Sequence, residues 1–266
     1  MNTKILRWGQ FGFWMGIRGT GCKLCVALQT KPVTRNPYPQ SIPFRYLCLM
    51  YLVKTPWWLR ALYPSLVWRI KSPGKTIYLT FDDGPHETAT PFVLEQLARF
   101  QAKASFFCIG KNVLAHPDIY QSILDAGHSV GNHTYHHLNG WKVKDDLYLS
   151  DIQKAATLIH SPLFRPPYGR IKRSQLKKLP QALQPATHHL QPVTIMWDVL
   201  SADFDTELTP EGCLSYVLYH TRPGSVIVFH DSTKAWDRMS YALPKMLEYF
   251  SKQGYTFKSI PMDVSN

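Results

Sequence analysis

The first 81 residues of this 266-residue chain contain no Asp or Glu, although they hold 12 Lys and Arg; residues 82–266 carry 18 basic and 18 acidic side chains. The whole formal charge of +12 therefore sits in the first third, and the remainder is neutral. A nucleic-acid protein spreads cations over the folded face that meets phosphate, so no nucleic-acid partner is expected. Trp8, Trp14, Trp57, Trp58 and Trp68 lie among those cations, a mixture suited to peripheral contact with an anionic membrane surface. No apolar run approaches the ~18 residues of a transmembrane helix. The run from Phe11 to Ile17 is closed by Arg18 without a small-residue cleavage site, so no standard secretory signal is expected and the location is expected to be cytoplasmic or membrane-associated. Five scattered cysteines, an odd number, exclude a disulfide framework. Cys22 and Cys25 form a C-x-x-C with neither a second pair nor a βαβ context, and no redox or zinc role is assigned to them. Low-complexity tracts, close repeats and phosphate-cradling glycine loops are also missing.

What is present is globular: 45% hydrophobic and 18% charged residues, in a chain that suits one large domain with an appendage. From Lys75 onward, short β-rich runs alternate with helix-like stretches. Strands are predicted at 76–81, 104–109, 128–132, 163–165, 193–197, 225–229 and 255–259. Helices are predicted at 91–100, 117–126, 145–160, 210–220 and 241–252, several opened by Pro or an acidic residue. Gly127 and Gly254 stand where C-caps belong. Gly-Ser-Val-Ile-Val-Phe before His230 is apolar on both faces, as a covered parallel sheet requires. The pattern defines an α/β protein.

Each unusual polar cluster directly follows a strand. Asp82 and Asp83 follow the first, His133 and His137 the third, Arg165 the fourth, Asp198 and Asp203 the fifth, and His230 the sixth. Chemistry gathers at the C-terminal ends of parallel strands, so five segments converge on one site. Adjacent carboxylates in a regular strand point to opposite faces, but the Gly84-Pro85 turn lets Asp82 and Asp83 face one mouth; alone, the motif reads first as an Asp-Gly turn capped by one carboxylate. His133-Thr134-Tyr135-His136-His137 spaces imidazoles three and four apart, as on one helical face that grips an ion. A carboxylate with two imidazoles and open positions is a catalytic rather than a structural ligand set.

These residues resemble the polysaccharide deacetylases of carbohydrate esterase family 4, the NodB homology domain, over about residues 76–260. Thr80-Phe81-Asp82-Asp83-Gly84-Pro85 is similar to the family's first motif, which implies Asp82 as general base and Asp83 as metal ligand. His133-Thr134-x-x-His137 resembles the motif that supplies two histidine ligands. Arg165-Pro166-Pro167-Tyr168-Gly169 resembles the third, implying that Arg165 holds Asp82 and that the Tyr168 N–H serves an oxyanion hole. Val228-Phe229-His230 resembles the last, which implies His230 as general acid. Four motifs in order are specific. The family's D-x-x-D-W appears here as Leu200-Ser201-Ala202-Asp203-Phe204, without the first carboxylate. Asp203, Asp198 or no acidic group is then left to orient His230, Asp203 being favoured by the motif. Trp197 is a candidate wall of the sugar site, and Asp231 reads as a cap on the segment after it.

The resemblance implies a deformed, TIM-like (β/α) barrel of about seven parallel strands and a metal-dependent hydrolase, with one divalent ion, zinc, that removes N-acetyl groups from an acetylated glycan. An O-acetyl esterase and an inactive sugar-binding member are the alternatives. Residues 1–49 are expected to form a basic leader outside the fold, residues 50–75 to pack on the barrel, and residues 76–266 to be catalytic.

Overall fold

The computed structural model describes residues 52–72, 74–184, 187 and 190–264; the leader 1–49 and the Cys22–Cys25 pair lie outside the described residues. Eight strands, β1 (Thr76–Asp82), β2 (Ser105–Cys108), β3 (Ser129–Asn132), β4 (Leu163–Phe164), β5 (Val193–Thr194), β6 (Val199–Leu200), β7 (Val226–His230) and β8 (Thr256–Lys258), form one sheet. Every strand pairing is parallel. Seven strands follow the path β5-β4-β3-β2-β1-β7-β6, and β8 pairs with the first half of β1. This is the deformed barrel expected from the motifs.

Strand alternation divides the core in two. Ile77, Leu79 and Phe81 of β1 join the larger cluster under the helices, where the Phe81 ring stacks on Phe106 and Phe229 at 5.2 and 6.1 Å. Tyr78 lies on the other face with Phe107, Leu163, Ile195 and Val226, residues contributed from around the barrel wall. The helices are α1 (Trp57–Leu62), α2 (Ala89–Arg99), α3 (Gly110–Ala115), α4 (Pro117–Asp125), α5 (Asp145–Ala156), α6 (Arg173–Leu183), α7 (Pro210–His220) and α8 (Trp236–Lys252). In α7, Pro210 sits at the first position and the Thr209 hydroxyl accepts the Gly212 N–H at 3.1 Å, a side-chain N-cap. The sequence reading began α8 at residue 241, but the helix starts five residues earlier and carries Pro244 in its interior. An interior proline costs about 3 kcal/mol. Burial of Met239, Leu243, Met246, Leu247 and Phe250 along one face, at ~1.5–3 kcal/mol each, outweighs it.

The strand expected at 193–197 is the main difference. It ends at Thr194, and residues 195–198 cross from one edge of the sheet to the other before β6 begins. Residues 53–69 hydrogen bond into this seam and close it. The Val67 N–H donates to Thr194 O (3.0 Å), and the Met196 N–H donates to Val67 O (2.7 Å). Nearby, the Thr55 N–H reaches Asp198 O (3.0 Å) and the Leu200 N–H reaches Val53 O (2.8 Å). Asp198 is fully buried and anchors the closure. Its Oδ2 accepts Lys54 Nζ at 2.6 Å and Ser225 Oγ at 2.6 Å, with Arg69 Nε at 3.5 Å. Among the described residues no helix is long and apolar enough to cross a membrane.

Replacing Asp198 with Ala is expected to destabilise the fold by about 2 kcal/mol, less than a fully buried pair because its cationic partners are part-exposed. The thermal midpoint should fall by roughly 4–8 °C. A midpoint within a degree of wild type would show that the seam is held by other contacts.

Candidate metal and catalytic centre

Parallel pairing brings all the strand ends to one rim, and register decides which side chains meet there. Asp82 and His230 are direct partners across β1 and β7. The Arg165 N–H donates to Asn132 O at 3.0 Å, which sets Arg165 beside the loop that starts at His133. The strand breaks at Asp83, whose φ of 82° lies in the left-handed region. Asp82 consequently meets Arg165 while Asp83 meets the histidines. Thr134, His137, Tyr168 and Ala202 also have φ near 60°, so left-handed non-glycine backbone concentrates in the loops of this rim.

Asp83, His133 and His137 place one ligand atom each within 4.8 Å of one another. His133 Nε2 and His137 Nε2 stand 3.8 and 3.2 Å from Asp83 Oδ1. The histidines do not share a helical face, contrary to the spacing argument: residues 133–137 form an irregular turn. His133 Nδ1 donates to Arg165 O at 2.7 Å, which fixes the tautomer and leaves the Nε2 lone pair toward Asp83. Burial holds both imidazoles below their ordinary pKa, so they are neutral donors at pH 7. Asp83 Oδ1 is buried without a hydrogen-bond partner among the described residues. An orphaned carboxylate oxygen facing two neutral imidazoles fits a divalent ion.

His136 turns away from this cluster, and its Nδ1 lies 2.5 Å from Asp151 Oδ1. Asp151 Oδ2 also accepts the N–H groups of Tyr135 and His136, each at 2.9 Å. Asn132 Oδ1 accepts the Thr134 N–H at 2.9 Å, while its amide donates to Ile152 O at 3.1 Å. The ligand turn is thus bolted to α5. The sequence reading missed Asp151, yet a signal existed: it falls on the apolar face defined by Tyr148, Ile152 and Ala155, where an acidic residue needs a partner.

Arg165 is completely buried. Its Nη1 donates to Asp82 Oδ1 (2.6 Å) and Thr80 Oγ1 (2.7 Å), Nε to Ile195 O (3.1 Å), and Nη2 to Met196 O (3.0 Å). Burial pushes the Asp82 carboxyl above its ordinary pKa, outweighing the opposing pull of Arg165 and His230. Arg165 thus aims Asp82 and limits, without abolishing, the rise that makes it more basic.

Asp203, not Asp198, meets His230. Its Oδ1 lies 2.7 Å from His230 Nδ1, and Oδ2 accepts the His230 N–H at 2.7 Å. Burial opposes the imidazolium, but Asp203, joined by Asp83 and Asp82, pushes His230 up to about 10. A dication on Asp83 would offset that carboxylate's share. Asp231 does not cap the segment after it. Its Oδ1 accepts the Gly84 N–H (3.0 Å) and its Oδ2 the Thr90 hydroxyl (2.5 Å), fastening the turn after Asp83. Burial pushes Asp231 up to about 8. The Tyr168 ring is exposed and lies 4.6 Å from the His137 ring. The turn's own hydrogen bonds use the N–H groups of Gly169 and Arg170, not that of Tyr168. Trp197 packs on Gly169, where a Cβ would stand 2.6 Å from the indole.

The family profile for polysaccharide deacetylase matches residues 69–183. The chain is 32% identical to a peptidoglycan-N-acetylglucosamine deacetylase of Bacillus cereus over 200 residues, 73% of this chain and 91% of the relative. It is 34% identical to a chitooligosaccharide deacetylase of Azorhizobium caulinodans over 172 residues, 61% and 77% of the two chains. The crystal structure of a peptidoglycan N-acetylglucosamine deacetylase matches with a TM-score of 0.68 at 30% identity, covering 78% of this chain and 95% of that one. The chain belongs to the polysaccharide deacetylase family, metal-dependent hydrolases that remove N-acetyl groups from acetylated sugar chains.

Titration with a divalent ion should give one tight site in wild type and in His136→Ala, and none in His137→Ala. Asp151→Asn should weaken binding about tenfold, because the ligand turn loses an anchor outside the coordination set. Loss of the ion in His136→Ala with retention in His137→Ala would overturn the ligand assignment.

Proposed function

We propose that the protein is a zinc-dependent N-deacetylase of N-acetylglucosamine-containing glycans, with Asp82 as general base and His230 as general acid. The observation that carries this reading is the register pair Asp82–His230, which flanks the Asp83, His133 and His137 cluster from adjacent strands. Asp83, His133 and His137 would hold a zinc ion, which would polarise the acetyl carbonyl and acidify a bound water. Asp82, aimed by Arg165 and made more basic by burial, takes the proton of the attacking water. The Tyr168 N–H donates to the oxygen on which charge develops. His230, held by Asp203 with Nε2 free of partners among the described residues, gives its proton to the departing amine. An amine leaves only when protonated, so an acid kept charged at neutral pH favours amide over ester substrates.

Leu200, the departure that raised the inactive-member alternative, does not bear on this machinery. Asp203 alone makes both contacts to His230.

Asp82→Asn and His230→Ala should each lower acetate release from chito-oligosaccharides by at least about 10³-fold while keeping the ion. Either variant turning over at near wild-type rate would remove its residue from the mechanism. Wild-type kcat/KM should be bell-shaped in pH. It falls on the acid side as Asp82 takes up a proton and on the alkaline side as His230 loses one. Asp203 raises the His230 pKa, so Asp203→Asn should move the alkaline limb to lower pH. An unmoved limb would show that His230 is not the group titrating there.

A further inference from the structure

A cavity of about 510 Å³ opens beside the catalytic rim and shares Tyr168, Gly169 and Trp197 with it. This volume falls in the ~300–1,000 Å³ range of small-molecule sites. Its wall is mainly hydrocarbon: Leu59 and Leu66 from the seam-closing segment, Met196 from the crossing, Leu176 from α6, and Leu200 of β6; Arg173, whose guanidinium lies 5.8 Å over the Tyr63 ring, also lines it. Leu200 occupies the position where the family motif carries a carboxylate. Two of the indoles in the wall, Trp68 and Trp141, have their N–H groups engaged by backbone carbonyls. Trp68 Nε1 donates to Tyr63 O at 3.2 Å and Trp141 Nε1 to Ile171 O at 3.1 Å. Thr55 Oγ1 donates to Trp197 O at 2.6 Å, and Lys172 Nζ to Val143 O at 2.6 Å.

A neighbouring sugar ring finds few hydrogen-bond partners on such a wall, and each buried hydroxyl left unpaired weakens binding. Tyr168 lines the cavity and its ring lies 4.6 Å from that of His137, so a chain attached to a sugar at the metal cluster can enter the cavity. We infer that the cavity is a subsite for a hydrocarbon chain attached to the acetylated sugar, making the preferred substrate an amphiphilic, lipid-linked N-acetyl sugar rather than a free polymer. This inference rests on the deacetylase reading and specifies its substrate class. Each methylene moved from water into the cavity should tighten binding up to roughly fourfold.

The test uses the zinc-loaded full chain with N-acetylglucosaminides bearing methyl, octyl or dodecyl aglycones, all below their micelle concentrations. The expected result is kcat/KM at least about tenfold higher for octyl than for methyl, carried mainly by KM. Leu59→Glu and Trp141→Ala, neither of which has a catalytic role, should reduce that advantage to under threefold and leave methyl-glycoside turnover unchanged. A flat wild-type series, or an advantage that survives in both variants, overturns the inference. Octyl glucoside, which has no acetyl group, provides an arm independent of turnover. Saturable tryptophan quenching lost in Leu59→Glu supports the subsite even if no acetate is released from any substrate, the result that would sink the deacetylase reading alone. Absence of saturable quenching overturns the subsite, including the case in which residues 1–51 of the chain itself fill the cavity.

Discussion

A guanidinium with no solvent exposure sits at the centre of this molecule, and its burial dictates much of what surrounds it. Removing such a charge from water costs several kcal/mol unless its donors are matched. Arg165 matches them across elements far apart in sequence: Asp82 and Thr80 on β1, the carbonyls of Ile195 and Met196 on the seam crossing, and the Phe107 ring face at 4.0 Å on β2. Its own carbonyl receives His133. One side chain therefore ties the position of the Asp82 carboxylate, the orientation of the His133 ring and the path of the chain across the barrel opening, so none can shift without exposing an unmatched charge. Arg165→Lys is not conservative in this setting, because an ammonium cannot span those acceptors.

Around that charge, similar carboxyls are given different work by their surroundings. Asp82, Asp203 and Asp231 are all buried within the same rim. Asp203 faces an imidazolium and acts through it. Asp231, which meets only an amide and a hydroxyl, is pushed up to about 8 and serves to fasten the turn. Asp82 lies between these extremes, desolvated but paired with a cation, which suits the proton-accepting role proposed for it.

Most of the barrel and the core of the site were legible because they are written locally: apolar runs of strand length, each ending in an acidic, histidine or arginine cluster. The remainder depends on partners remote in sequence. Asp231 looks like a cap until Gly84, 147 residues away, is brought beside it. Asp151 looks like one more polar helix residue, and residues 133–137 look helical until their N–H groups are seen to be held by that carboxylate. Helices α3 and α6 escaped notice because one is only six residues long and the other carries Pro180 among its lysines. The closure by residues 53–69 was unreadable for the same reason, since Lys54 and Asp198 lie 144 residues apart.

That last separation bears on how the chain folds as it is made. Synthesis delivers the closing segment well before its acceptors on 194–225, so Leu66, Val67 and Trp68, buried in the folded protein, emerge from the ribosome with no barrel edge to receive them. The sheet between can assemble in order, each parallel strand joining its predecessor from β1 to β5. The barrel cannot shut until the crossing has been translated. Until then the sheet from β1 to β5 has an open edge, and the backbone groups of residues 53–69 lack the partners they hold in the folded protein.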